Sequence, residues 1–224
     1  MKNILALAMG IVALAGCAAV RTHSPAAVYD FGLQRPAYTS SSGEESGNKR
    51  LQVSLLVADV SVPVSRDNTG IHYRLAYDDP ARSYAYGSSR WAAPPAVLLT
   101  QRVRSRIAEI SENAVVGTTE GVLTNYALRL EIEEFSQVFD TADDSRAIIK
   151  LRAGLIDRPA RLMVAQRNFS MEQAAPTPNA AGATHALAEA SDKLIEELIG
   201  WIIDELTSER RATPDMGEIF STYD

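Results

Sequence analysis

Two stretches of this chain alternate so strictly that they dictate its main architecture. Tyr126, Leu128, Leu130 and Ile132 interleave with Arg129, Glu131 and Glu133; after a turn over Asp140 to Ser145, Ala147, Ile149, Leu151, Ala153 and Leu155 interleave with Arg146, Lys150 and Arg152. A period of two throws each apolar set onto one face of an extended strand. Two such runs joined by a short turn predict an antiparallel hairpin with one apolar face, and that face needs a cover. In this pairing the acidic Glu131 and Glu133 face the basic Lys150 and Arg152, each pair worth roughly a few tenths of a kcal/mol but favouring one register. Asp157-Arg158-Pro159-Ala160 reads as a turn into a further strand of the same sheet, Leu162 to Met171.

The cover comes from two apolar stripes of helical spacing. Pro94 and Pro95 open the first helix, where a missing N–H costs least, and Leu99, Val103, Ile107 and Ile110 line one side of it. The second, about Thr184 to Leu206, carries Leu187, Ala190, Leu194, Leu198 and Trp201, with Ile195, Ile199, Ile202 and Leu206 beside them. So wide a stripe packs on a sheet or on a partner, which also permits a homo-oligomer.

Three more strands are predicted. Tyr29 to Leu33 is short, and Ile71, Tyr73, Leu75 and Tyr77 alternate with His72, Arg74 and Ala76. Leu51 to Val62 is the strongest: Leu51, Val53, Leu55 and Val57 share a face, and Leu56, Ala58, Val60 and Val62 take the opposite phase. That slip predicts a bulge or a strand buried on both faces. Tyr38 to Arg50 reads as a polar loop, Ala174 to Gly182 as a linker, and Thr207 to Asp224 as a frayed tail. The sum is an α+β single domain over residues 28–206: a largely antiparallel mixed sheet with two main helices packed on it.

The first residues are an address. Met1-Lys2-Asn3 precedes an uncharged run from Ile4 to Ala15, too short to span a bilayer of about 30 Å and of the form of a secretory signal. Leu14-Ala15-Gly16-Cys17 resembles the bacterial lipobox, so residues 1–16 are expected to be removed and the Cys17 thiol to carry lipid. The alternative is an ordinary cleaved signal with a cysteine near the cut. Acyl chains at about 0.8 kcal/mol per buried CH₂ make such an anchor effectively permanent. Ala18, where an aspartate often holds a lipoprotein at the inner membrane, points by resemblance to the outer membrane of a Gram-negative envelope, on its periplasmic face. Residues 17–27 read as a lipid-anchored tether.

Composition narrows the function. Of 224 residues, 22 are Lys or Arg and 28 Asp or Glu, a net charge of −6 with no basic block, which argues against nucleic acid as a partner. Cys17 is the only cysteine, so no intramolecular disulfide and no thiolate cluster can form. His23, His72 and His185 lie far apart, none with a second His or Cys at metal spacing, so neither a metal nor a cofactor is expected. No nucleophile elbow is present, and Ser88-Ser89 has no nearby His. Asp30-Phe31-Gly32 lacks the other kinase signatures. The carboxylate pairs Glu133-Glu134 and Asp143-Asp144 read as solvated charge, because strand neighbours point to opposite faces and the second pair sits in a turn. No catalytic residue is proposed, and the chain is not expected to be an enzyme.

Two clusters suit binding instead. Tyr84, Tyr86 and Trp91 crowd a stretch between a strand and the first helix, where exposed aromatics would anchor a partner; the reading that weighs more, since Trp91 adjoins the helix start, is a hairpin closing over the core. Arg102, Arg104 and Arg106 lie on the first helix, Arg104 pointing away from the other two, and read as a solvated face rather than an anion site.

Four stretches, in order, resemble the ABC-type transport auxiliary lipoproteins, the group that includes PqiC-like components of MCE lipid-transport systems. They are Tyr29-Asp30-Phe31-Gly32 after the lipobox; Ile71-His72-Tyr73-Arg74-Leu75 followed by Ser89-Arg90-Trp91-Ala92-Ala93-Pro94-Pro95; Leu130-Glu131-Ile132-Glu133-Glu134-Phe135-Ser136-Gln137-Val138-Phe139; and Ala165-Gln166-Arg167-Asn168-Phe169-Ser170. The resemblance implies a non-catalytic, periplasm-facing lipoprotein. It would accompany an ATPase, a permease and an MCE-family substrate-binding protein that move phospholipid or another hydrophobic molecule between membranes. The one functional residue it transfers is Cys17. A lipid-anchored hydrolase with a scattered site, or a structural envelope lipoprotein unconnected with transport, are the other functional classes open to the chain.

Overall fold

The computed structural model describes residues 25–33 and 50–212. The elements, in chain order, are β1 (Ala27–Tyr29), β2 (Leu55–Val57), β3 (Gly70–Leu75), β4 (Asp79–Trp91), α1 (Pro95–Ile110), β5 (Val115–Val116), β6 (Tyr126–Phe139), β7 (Ser145–Asp157), β8 (Leu162–Ala174) and α2 (Ala180–Ala212). They form one α+β domain. No helix among the described residues is long and apolar enough to cross a membrane.

The expected hairpin is its spine. β6 pairs antiparallel with β7 along its whole length, and β7 pairs likewise with β8, which runs beyond Met171 to Ala174. Along its other edge β6 carries two short partners end to end: β2 beside Tyr126–Leu128 and β3 beside Gln137–Phe139, both parallel to it. β5 adds to β2; β4 and then β1 add beyond β3. The sheet of eight strands among the described residues is therefore mixed around an antiparallel centre.

Bulges set which side chains reach the core. Ile132 faces Leu151 and Glu134 faces Lys150, so Glu133 is an extra residue on β6. The bulge flips the phase: Leu128, Leu130 and Ile132 are buried before it, Phe135, Gln137 and Phe139 on that face after it. It also corrects the expected charge pairing. Arg152 takes both Glu133, at 2.9 Å, and Glu131, at 3.7 Å, while Lys150 stands opposite Glu134.

The phase slip in Leu51–Val62 is likewise a bulge, but only Leu55–Val57 is a regular strand. Val57 pairs with Leu128 and Ser61 bridges to Glu131, so four steps on this chain match three on β6. The extra residue falls at Ala58 and Asp59, after which Val60 enters the core.

Other boundaries move. The first strand is Ala27–Tyr29 rather than Tyr29–Leu33, so Ala27 belongs to the sheet and not to the tether. Residues 79–91, for which no strand was predicted, form a strand of 13 residues, most of them exposed, that pairs with β3. α2 starts at Ala180, before Thr184, because Asn179 caps it: its Oδ1 accepts the Gly182 N–H at 3.0 Å, and its carbonyl accepts the Ala183 N–H. The helix continues past Leu206 to Ala212. The tether from Cys17 to Ser24, most of the polar loop after Tyr38 and the end of the tail fall outside the described residues.

Both helices lie on the apolar face of the sheet. Leu99, Val103 and Ile107 of α1, and Leu187, Leu194, Ile195 and Leu198 of α2, join Leu128, Ile149, Leu151 and Leu155 in one core. Large rings close its ends: Phe31, Trp91 and Phe135 meet at centroid distances of 5.5–6.0 Å, and Phe169 meets Trp201 at 5.8 Å.

Candidate partner-docking site

Beyond the helices, the apolar face of the sheet continues into a shelf of half-buried aromatics. Tyr73 stands on β3 directly opposite Tyr84 of β4 and Gln137 of β6, so the pleat puts all three on one face. The Tyr73 ring stacks on Tyr84 at 5.2 Å, tilts against Tyr86 at 4.8 Å and meets the edge of Phe139 at 5.7 Å. The Arg82 guanidinium lies 4.7 Å above the Tyr84 ring.

A buried polar chain fixes one tyrosine. Tyr86 Oη donates to Gln137 Oε1 at 2.6 Å, and Gln137 Nε2 donates to Ser145 Oγ at 2.8 Å. Gln137 is fully buried, so its amide is held without water. Burial first, and the neighbouring Tyr73 second, push the Tyr86 phenol up to about 12, which keeps it a neutral donor. The shelf thus offers ordered rings with one phenol already committed, a surface suited to an apolar or aromatic partner segment.

Of the three aromatics singled out in the sequence, the structure brings Tyr84 and Tyr86 together and separates Trp91 from them. Trp91 is 1% exposed among Phe31 and Phe135, so for this residue the core reading replaces the anchor reading. Simple alternation from Tyr84 and Tyr86 would put it on the other face; the register shift opposite Gly70–His72, where β4 takes five steps to two on β3, turns it into the core beside the start of α1. Tyr73, the hub of the shelf, was not visible as a site residue; its alternation with His72 and Arg74 signalled only a half-buried strand.

The arginine reading is also corrected. Arg102 and Arg106 are buried between α1 and α2 rather than solvated, and only Arg104 turns elsewhere, to the Val57 carbonyl and Asp59. Arg106 pairs with Glu109 at 2.9 Å and reaches Glu196 on α2 at 3.6 Å. Arg102 clamps the segment that enters the fold. Its Nη2 donates to the Phe31 carbonyl at 2.9 Å, its Nη1 to the Gly32 carbonyl at 3.3 Å, and its Nε lies 3.0 Å from Asp192 Oδ1. Gly32 sits at φ +68°, a left-handed turn that glycine adopts without strain.

The remaining polar residues are absorbed by structure. Glu134 pairs with Arg66 at 3.2 Å and Arg74 at 3.6 Å, and Glu133 pairs with Arg152, so these neighbours do not converge as an acid–base pair. His72 Nε2 meets Asn68 Oδ1 at 3.1 Å on β3, and His185 lies on α2 beside residues 29–33. Cys17 is outside the described residues.

Residues 31–198 match the family model for the ABC-type transport auxiliary lipoprotein component. A crystal structure of a protein from Xanthomonas campestris shares the fold, with a TM-score of 0.65 and 20% identity over 84% of this chain and 97% of that one. A second, of an uncharacterized protein, has a TM-score of 0.58 and 15% identity over 80% of this chain and 99% of that one. Among curated proteins, none matches.

Proposed function

The chain belongs to the ABC-type transport auxiliary lipoprotein components, and from that membership we propose that it serves as a docking component at the outer membrane, receiving the periplasmic end of an MCE lipid-transport complex. Membership supports a non-enzymatic role beside an ABC-type transporter. In the finer reading, residues 1–16 are a cleaved lipoprotein signal and Cys17 carries the lipid. Residues 17–26 tether the folded body, which runs from β1 to the end of α2, to the periplasmic face. The partners are an MCE-family substrate-binding protein with its permease and ATPase, and the cargo is phospholipid or another hydrophobic molecule. Tyr84 and Tyr86, with Tyr73, are the surface offered to the partner. The observation that carries the reading is the family match across both the aromatic shelf and the Arg102 clamp.

Capture of an MCE protein by the chain beginning at Ala18 tests it. We expect retention that falls when Tyr84 is changed to Ala, with the melting temperature little changed because the ring is half exposed. No association in any detergent or salt overturns the docking reading. Growth with labelled palmitate tests the anchor separately: label on the wild-type chain and none on Cys17→Ser is expected, and an unlabelled wild-type chain overturns it.

A further inference from the structure

At the Tyr126 end of β6, far from the aromatic shelf, two loops meet at a tip of the sheet. One is the approach to β6, residues 122–125, and the other is the turn between β7 and β8. Val122, Leu123, Leu162 and Met163 are 45, 91, 65 and 55% exposed there, four of the nine large apolar side chains left exposed among the described residues. Arg158 ties the loops together: its N–H bonds the Asn125 carbonyl at 2.9 Å, and its Nη1 donates to Thr124 Oγ1 at 2.8 Å. Arg161 stands beside it, exposed, lining the same surface depression with Leu123 and Asn125.

Arg66, Arg74, Arg102, Arg104, Arg106, Arg146 and Arg152 each pair with a carboxylate; Arg158 and Arg161, like Arg50, Arg82, Arg90, Arg129 and Arg167, have none within ion-pair distance among the described residues. Arg161 is also the only non-glycine residue among them with a positive φ, +57°. Glycine or asparagine would fill that position without the steric penalty of a longer side chain. A turn that keeps an arginine in a left-handed conformation, next to leucines facing water, keeps it for something other than folding.

We propose that this tip is a contact site for the surface of an anionic phospholipid bilayer. Leu123, Leu162 and Met163 enter the boundary between headgroups and acyl chains, and the Arg158 and Arg161 guanidinium groups meet lipid phosphates there. Charge agrees, because a chain of net charge −6 is repelled by an anionic surface except where its basic groups stand free of carboxylates. The inference does not depend on acylation of Cys17.

The test is co-sedimentation of the chain beginning at Ala18, which keeps every described residue, with vesicles of phosphatidylcholine alone or mixed with phosphatidylglycerol. We expect binding to the mixed vesicles that weakens with salt. Arg161→Asn should lower the partition coefficient about fivefold, the factor matching about 1 kcal/mol per surface-bound arginine, while leaving the melting temperature unchanged or raised, since asparagine suits the backbone better. Leu123→Asp should lower it at least about tenfold, the scale of losing one inserted leucine. Equal binding to both vesicle types, or variants that bind as the wild type does, overturns the proposal. So does failure to bind vesicles combined with Leu123- and Arg161-dependent binding to the purified MCE protein, which would make the tip a protein interface.

Discussion

Arg102→Met isolates the energy of the clamp on the entering segment. Methionine keeps an apolar stem of similar length in the space between α1 and α2 but removes every donor. The carbonyls of Phe31 and Gly32 then lose hydrogen bonds of 2.9 and 3.3 Å to a charged group, and Asp192 loses its partner. A hydrogen bond to a charged donor is worth about 1.5–3 kcal/mol, and the longer of the two counts for less. The ion pair adds under about 1 kcal/mol, because the Asp192 side chain is 23% exposed and Arg102 Nε approaches it off the line of a good hydrogen bond. The sum is about 2–3 kcal/mol. It falls first on a short piece of chain, since β1 is three residues long and pairs only with the edge of β4. The variant should therefore open locally before it unfolds globally, with amide exchange across Ala27–Leu33 accelerated about 30- to 150-fold and Phe31 withdrawn from Trp91. Asp192→Asn keeps both carbonyl bonds and should show a small fraction of that effect. Exchange by mass spectrometry decides: wild-type rates in Arg102→Met would refute the clamp.

Three further outcomes follow from single positions. Gly182→Ala would place a Cβ onto the Thr177 carbonyl oxygen, so the capped start of α2 must shift; a stability lowered by about 2 kcal/mol or more in urea unfolding is expected, and an unchanged midpoint would show that the cap adjusts freely. Trp91→Ala empties a site 1% exposed and packed by Phe31 and Phe135, at a cost of about 3–5 kcal/mol in the same measurement; a loss below 1 kcal/mol, roughly the scale of a surface change, would contradict its place in the core. Burial first, then the Arg66 charge, holds the His72 pKa below its ordinary 6.5, so the unfolded chain binds the proton more readily and stability should rise with pH up to about 6.5 and then level off. His72→Gln should flatten that slope, and a wild-type slope in the variant would assign it to other groups.

The alternation of β7 and of β6 up to its bulge was legible because Ala147, Ile149, Leu151, Ala153 and Leu155, and Leu128, Leu130 and Ile132, are buried on one face. So was the α1 stripe, where Leu99, Val103 and Ile107 each fall below 2% exposure. β4 was not, for the same physical reason in reverse: a mostly exposed strand has no apolar face to alternate with. The early start of α2 was missed although Asn179 is a good cap, because Pro176 and Pro178 just before it suggested a linker. Arg102 could not be placed from sequence at all. Its role depends on Phe31 and on Asp192, 90 residues away, meeting across two helices that only the folded sheet brings together. The shelf was half legible: Tyr84 and Tyr86 stood out as a cluster, but Tyr73, which stacks on both, comes from another strand.

The shelf and the tip sit at opposite ends of β6, near Gln137 and Tyr126, a separation of about 35 Å at about 3.3 Å per strand residue. Neither shares a side chain with the other, and the helix-packed core between them is rigid on the scale of a residue. If both proposals hold, a bilayer at one end leaves the other end free for a protein partner. The consequence is measurable. Sites this far apart with no common contact should contribute additively, so Leu123→Asp and Tyr84→Ala combined should weaken vesicle binding only as much as the first alone, and partner capture only as much as the second alone. A double variant that loses either activity beyond its single parent would mean that the two ends communicate through the sheet, and that membrane contact and docking are one event rather than two.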